Sequence, residues 1–97
     1  MNIHVETAIV ENTGGWVMVA FGKLSTGEWF AAGLDSGIIE LYGNEQDAYM
    51  CDGYTGLIRT ISEGDKEYKP LWMEICKVAE DPWDVMEGYR KMMETEE

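Results

Sequence analysis

Between Ile3 and Tyr42 the apolar residues come in short blocks separated by turn-forming residues. From Ile3 to Glu11 the chain alternates, with Ile3, Val5, Thr7 and Ile9 on one side and His4, Glu6, Ala8 and Val10 on the other. That period of two predicts a half-buried strand whose outer face, led by His4 and Glu6, is mostly polar. Asn12-Thr13-Gly14-Gly15 then turns the chain into Trp16-Val17-Met18-Val19-Ala20-Phe21, an unbroken apolar run. A short run rich in Val and aromatics between glycines predicts a strand that is apolar on both faces. Such a strand sits centrally, or has helices on one face and a partner on the other. Leu24-Ser25-Thr26-Gly27 is a turn by composition and leads to a strand over Glu28–Leu34. Asp35-Ser36-Gly37 is a second turn, and Ile38–Tyr42 a further strand. Short turns between neighbouring runs imply an antiparallel meander of about four strands over residues 3–42.

The pattern then changes period. Asn44 suits a helix N-cap, and Glu45, Gln46 and Asp47 suit a first turn, where acids meet the positive end of the helix dipole. Met50, Tyr54, Leu57, Ile58 and Ile61 continue at helical spacing, although Gly53 and Gly56 each cost about 1 kcal/mol in a helix interior. They mark a break or a face that another element approaches closely. Ser62-Glu63-Gly64-Asp65 reads as a loop. Leu71, Trp72, Ile75, Val78 and Ala79 make an apolar stripe, and Pro70 places the helix start within a turn upstream of it. Asp81-Pro82-Trp83-Asp84 combines an N-cap, a proline at the first helical position and an acid in the first turn. Val85, Met86, Tyr89, Met92 and Met93 follow on one face. The expected fold is α+β, one domain over residues 1–97. It has an N-terminal antiparallel sheet of about four strands, followed by two or three helices over 45–95 packed on it.

Charge narrows the partners. Nineteen acids against seven bases leave a net charge of −12. Residues 1–43 hold five acids and one base, residues 44–97 fourteen acids and six bases, so both halves are negative. Direct contact with nucleic acid or an anionic membrane is disfavoured, because phosphate binding rests on Lys and Arg. A basic protein surface is the complementary partner. No apolar segment is long enough to span a bilayer and no basic-then-apolar leader is present, so the expected location is the cytoplasm. Cys51 and Cys76 lie in apolar surroundings and are expected as buried thiols in a reducing compartment. A disulfide between them is the alternative, and a reactive thiol the remote one.

Candidate chemistry is sparse. His4 is the sole histidine, near one end of the chain on the outer face of the first strand, where a solvated role is expected rather than general base catalysis. The sequence holds no CxxC, HExxH, phosphate-binding glycine loop or nucleophile elbow, and Asp47, Asp52 and Asp65 lack EF-hand spacing. Two of the many acids could still meet as an acid–base pair, but a solvated acidic face is the plainer expectation. No catalytic residue, metal or cofactor is therefore assigned. The Met and aromatic side chains of the last segment, Trp83, Met86, Tyr89 and Met93, read first as core and second as an apolar interface.

A non-enzymatic protein-binding protein is the expected function. In bulk properties (size, acidity, one rigid domain) the chain is similar to phage-encoded inhibitors such as anti-restriction and anti-CRISPR proteins. The resemblance implies acids that stand in for phosphates on a basic, nucleic-acid-binding groove of a larger protein, with Trp or Tyr as anchors. Candidate partner-binding residues are Asp47, Asp52, Glu63, Asp65, Glu80, Asp81, Asp84 and Glu87. The alternative is a homo-oligomeric assembly module, a dimer in its simplest form, that uses an apolar helix or sheet face.

Overall fold

A computed structural model describes residues 4–12, 18–79 and 91. The elements run β1 (Val5–Asn12), β2 (Met18–Leu24), β3 (Trp29–Gly33), β4 (Ile39–Tyr42), α1 (Glu45–Met50), β5 (Leu57–Ile61) and α2 (Tyr68–Val78). The strands form one antiparallel sheet in the order β1-β2-β3-β4-β5. The fold is a small α+β domain, with five strands among the described residues where about four were expected.

The added strand comes from the segment expected to be a long helix over residues 45–61. Asn44 does cap its start: its Oδ1 accepts the Asp47 N–H at 2.9 Å, and its Nδ2 donates to Asp47 Oδ2 at 2.8 Å. After Met50 the backbone leaves the helical region. Cys51 is left-handed at φ 41°, and Gly53 and Gly56 have φ of 80° and 73°. Residues with positive φ end a right-handed helix. The Gly43 N–H then donates to the Gly56 carbonyl at 3.1 Å, which folds the loop back and starts β5 alongside β4. Apolar spacing alone did not separate the two outcomes, because Leu57 and Ile61, four apart, also fit a strand that is bulged. The β4–β5 register shifts between Leu41 and Tyr42, so Leu57 joins one side of the sheet and Ile61 the other.

A second bulge reverses the expected faces of β1. The β1–β2 register shifts between Val5 and Thr7, which takes Glu6 out of the alternation. Beyond it Ala8 and Val10 are buried while Thr7 and Ile9 are exposed. A slip of one residue moves every following side chain to the opposite face, which explains why Val5 lies in the core while Thr7 and Ile9 of the expected inner set do not.

β2 is covered on both faces, as an all-apolar strand requires. Ala20 and Leu24 join Phe30, Ala32, Ile39, Leu41 and Ile61 in a core closed by Leu71, Trp72, Ile75 and Cys76 of α2. Each large side chain buried there contributes roughly 1.5–3 kcal/mol relative to exposure. Pro70 lies in the first turn of α2, where its missing N–H costs nothing. The helix is tied to the sheet at the β3–β4 turn. The Gly37 carbonyl accepts both the Tyr68 hydroxyl at 2.7 Å and the Trp72 indole N–H at 3.2 Å. On the opposite face Val19, Phe21, Ala31 and Tyr42 pack with Ala48 of α1. Phe21 stacks on Trp29 with centroids 5.7 Å apart and meets Tyr49 edge-on at 5.6 Å. The expected last helix, with Glu80, Asp81, Trp83, Asp84, Met86, Glu87, Tyr89 and Met93, falls outside the described residues.

Candidate protein interface

Of the eight acids singled out from the sequence, Asp47, Asp52, Glu63 and Asp65 are described. Three of them build local structure. Asp47 completes the α1 cap. Asp52 Oδ1 accepts the N–H groups of Tyr54 at 2.7 Å and Thr55 at 3.0 Å, an Asx-type turn that redirects the chain after α1. The Tyr54 N–H is the main reason the Asp52 carboxyl titrates below the ordinary aspartate value, with the Thr55 N–H and hydroxyl adding to it. Asp65 Oδ2 accepts the Ser62 N–H at 2.8 Å and closes the β5–α2 loop. Glu63 is exposed in the same loop.

The four do not share one patch. Asp47 and Asp52 lie at the start of β5 and Glu63 and Asp65 beyond its end, roughly 13 Å of strand apart. The first pair has apolar company. Tyr54 is 86% exposed, Ile58 51%, Met50 50% and Tyr49 39%, all within residues 49–58. Met50, Tyr54 and Ile58 fall at helical spacing in the sequence. The left-handed turn at Cys51 and the bulge at β5 break that spacing and leave them in solvent. A corner with two fixed carboxylates among four exposed apolar side chains has the composition of a protein contact surface.

A cleft lies on the α1 side of the sheet. Beyond Trp29, β3 lines it only with the small Ala31 and Gly33, and the missing bulk leaves about 200 Å³ between Val19 of β2, Ile38 and Glu40 of β4 and its approach, Ser36, and Cys51 at the end of α1. Glu40 is half-buried and accepts the Tyr42 hydroxyl at 2.8 Å, while that hydroxyl accepts the Gly53 N–H at 3.0 Å. Tyr42 therefore locks the carboxylate to the loop after α1. The cleft was not read from the sequence, yet a signal was present: Glu40 interrupts Ile38-Ile39-Glu40-Leu41-Tyr42, and a charge inside an apolar strand asks for a partner.

Burial, and after it the hydrogen bond to Glu40, pushes the Tyr42 hydroxyl far above the ordinary tyrosine range, against a smaller opposing effect of the Gly53 N–H. A raised value means stability that is complete below the unfolded-state pKa of about 10 and is lost as pH climbs through the folded value. Tyr42→Phe is expected to cost about 1–2 kcal/mol near neutral pH, since it leaves Glu40 and the Gly53 N–H without that partner. Urea midpoints of both proteins from pH 8 to 11 check this. The gap between them should narrow above about pH 10, and a gap independent of pH refutes the assignment.

The other sequence candidates carry little chemistry. His4 is exposed, as expected, with its N–H on Ser25 Oγ at 3.0 Å and its Nδ1 3.8 Å from Glu74 Oε1. Cys76 is buried and Cys51 half-buried. Among the described residues no three of His, Cys, Asp and Glu form a metal-ligand group, and no helix is long and apolar enough to cross a membrane. No family model, no curated protein and no solved structure matches the chain.

Proposed function

We propose that the chain is a small non-enzymatic binding protein that occupies a basic, nucleic-acid-binding surface of a larger protein, in the manner of a phage-type inhibitor. The observation that carries this is the corner over residues 47–58. The Asp47 carboxylate is held by the Asn44 amide and that of Asp52 by its own turn, and Met50, Tyr54 and Ile58 of the same segment stand exposed. Carboxylates fixed in this way lose little freedom on binding, which preserves affinity. The net charge of −12 steers such a surface toward a cationic one and repels free nucleic acid. An exposed Tyr is the residue type that anchors interfaces.

The test is capture from a nuclease-treated lysate at low salt. The immobilised protein should retain basic nucleic-acid-binding proteins, and should release them as salt rises or an oligonucleotide is added. Asp52→Asn combined with Tyr54→Ala should reduce retention at least tenfold. Asparagine can keep the turn, so the fold survives the change. Retention that ignores both substitutions and added oligonucleotide rules the reading out.

The second reading is self-association, and it too rests on a specific feature. β5 is an edge strand with Ile58 exposed at its bulge. Edge strands with exposed apolar residues pair readily with a second copy. A salt-insensitive dimer in sedimentation equilibrium, broken by Ile58→Asp, would favour it.

A further inference from the structure

We infer that the cleft beside Glu40 is a socket for one arginine side chain of the partner. The inference rests on the binding reading above and names the contact it makes at a second place. Size sets the first limit. About 200 Å³ is below the roughly 300–1,000 Å³ of small-molecule sites but suits a single long side chain. The lining sets the second. Val19, Ala31 and Ile38 are apolar and accept a methylene stem, while Glu40 and Ser36 offer oxygen acceptors. Glu40 is positioned rather than loose, because the Tyr42 hydroxyl holds one carboxylate oxygen at 2.8 Å and is itself held by the Gly53 N–H. Ser36 Oγ is likewise fixed, accepting the Ile38 N–H at 3.2 Å.

Two fixed acceptors in one cleft suit a group with several donors in a rigid plane. Guanidinium has five, and its weak hydration makes removal from water less costly than for ammonium. Charge sets the third limit. A half-buried carboxylate in a chain of net charge −12 excludes an anionic occupant and draws a cationic one. Nucleic-acid-binding surfaces are rich in arginine, so the socket and the acidic corner suit the same partner.

The probe is Nα-acetyl-arginine methylamide, titrated into the isotope-labelled full chain and followed by amide chemical shifts. Lysine and citrulline analogues serve as comparison, the second having nearly the arginine shape without its charge. Saturable shifts are expected at Gly33, Ser36, Ile38 and Gly53, with dissociation constants on the order of 1–10 mM for so small a ligand. Glu40→Gln should weaken binding about tenfold or more, and Ile38→Ala, at an exposed position, should weaken it less. Thermal unfolding of each variant shows whether the fold is retained. Citrulline binding as tightly as arginine, lysine binding equally well, or shifts confined to the corner at Asp52 each overturn the socket. Failure here is separable from failure of the proposed function. Partner capture through Asp52 and Tyr54 does not require Glu40, and the arginine titration does not require that partner.

Discussion

Trp72→Ala is expected to destabilise the domain by about 3–5 kcal/mol, the cost of a large aromatic truncated in a core. Trp72 has no solvent exposure and sits in the α2 stripe against the sheet. Its indole N–H donates to the Gly37 carbonyl, but that carbonyl keeps the Tyr68 hydroxyl. The loss is therefore one of packing rather than of an orphaned acceptor. Trp72→Phe should accordingly cost much less, about 1–2 kcal/mol, because most of the volume survives. Domains of this size have about 5–15 kcal/mol in total, so the alanine variant approaches the limit of folding. Its melting temperature should fall by roughly 15–30 °C. Urea unfolding of the three proteins measures the series. Equal costs for Phe and Ala would mean that the hydrogen bond, not the packing, holds α2 in place.

Gly22→Ala is expected to be the next most damaging single change, at about 3 kcal/mol. Gly22 pairs with Ala8, directly after the bulge at Glu6. A Cβ placed on Gly22 would run into the Thr7 carbonyl. The obstacle is backbone, so relief requires β1 to move and the register of both strands to loosen. Gly64→Ala is the control: nothing lies within 4 Å of a Cβ there, and the change should be close to neutral. Thermal melts of both variants suffice. If Gly22→Ala melts within about 2 °C of the wild type, the close approach of β1 is not real.

The same acids bear on stability and on the proposed function. Asp52 and Asp65 turn the backbone and the Asp47 carboxylate braces the capping side chain of Asn44, so reversing their charge tests two things at once. Asparagine at position 52 separates them, since it can retain the turn and discards only the charge. Exposed Tyr54 is the cleaner probe of binding because its side chain supports little of the fold. The arrangement also shows how an acidic protein keeps its carboxylates rigid without burying them. Short bonds from backbone N–H groups to Asp52 and Asp65, and from the Asn44 side-chain amide to Asp47, fix them at turns while water continues to solvate them.

Composition and local pattern determined a good deal by themselves. The meander from β2 to β4 follows from runs of apolar residues broken at Ser25–Gly27 and Asp35–Gly37, where the turn chemistry is local. The Asn44 cap and the α2 stripe around Pro70 follow equally from neighbouring residues. The acidity was visible from counting charges. What only the tertiary structure decided depends on contacts distant along the chain. The fifth strand exists because β4 offers an edge for residues 57–61 to pair with, and that outweighs a helical spacing that glycines had already weakened. The buried face of β1 depends on a bulge set by its pairing with β2, and no periodicity within β1 encodes it. The corner and the cleft are later consequences of the same choices. Exposure of Tyr54 and Ile58, and the hollow above Ala31 and Gly33, arise where strands and α1 come together, so alternation and composition, which report only near neighbours, could not place them.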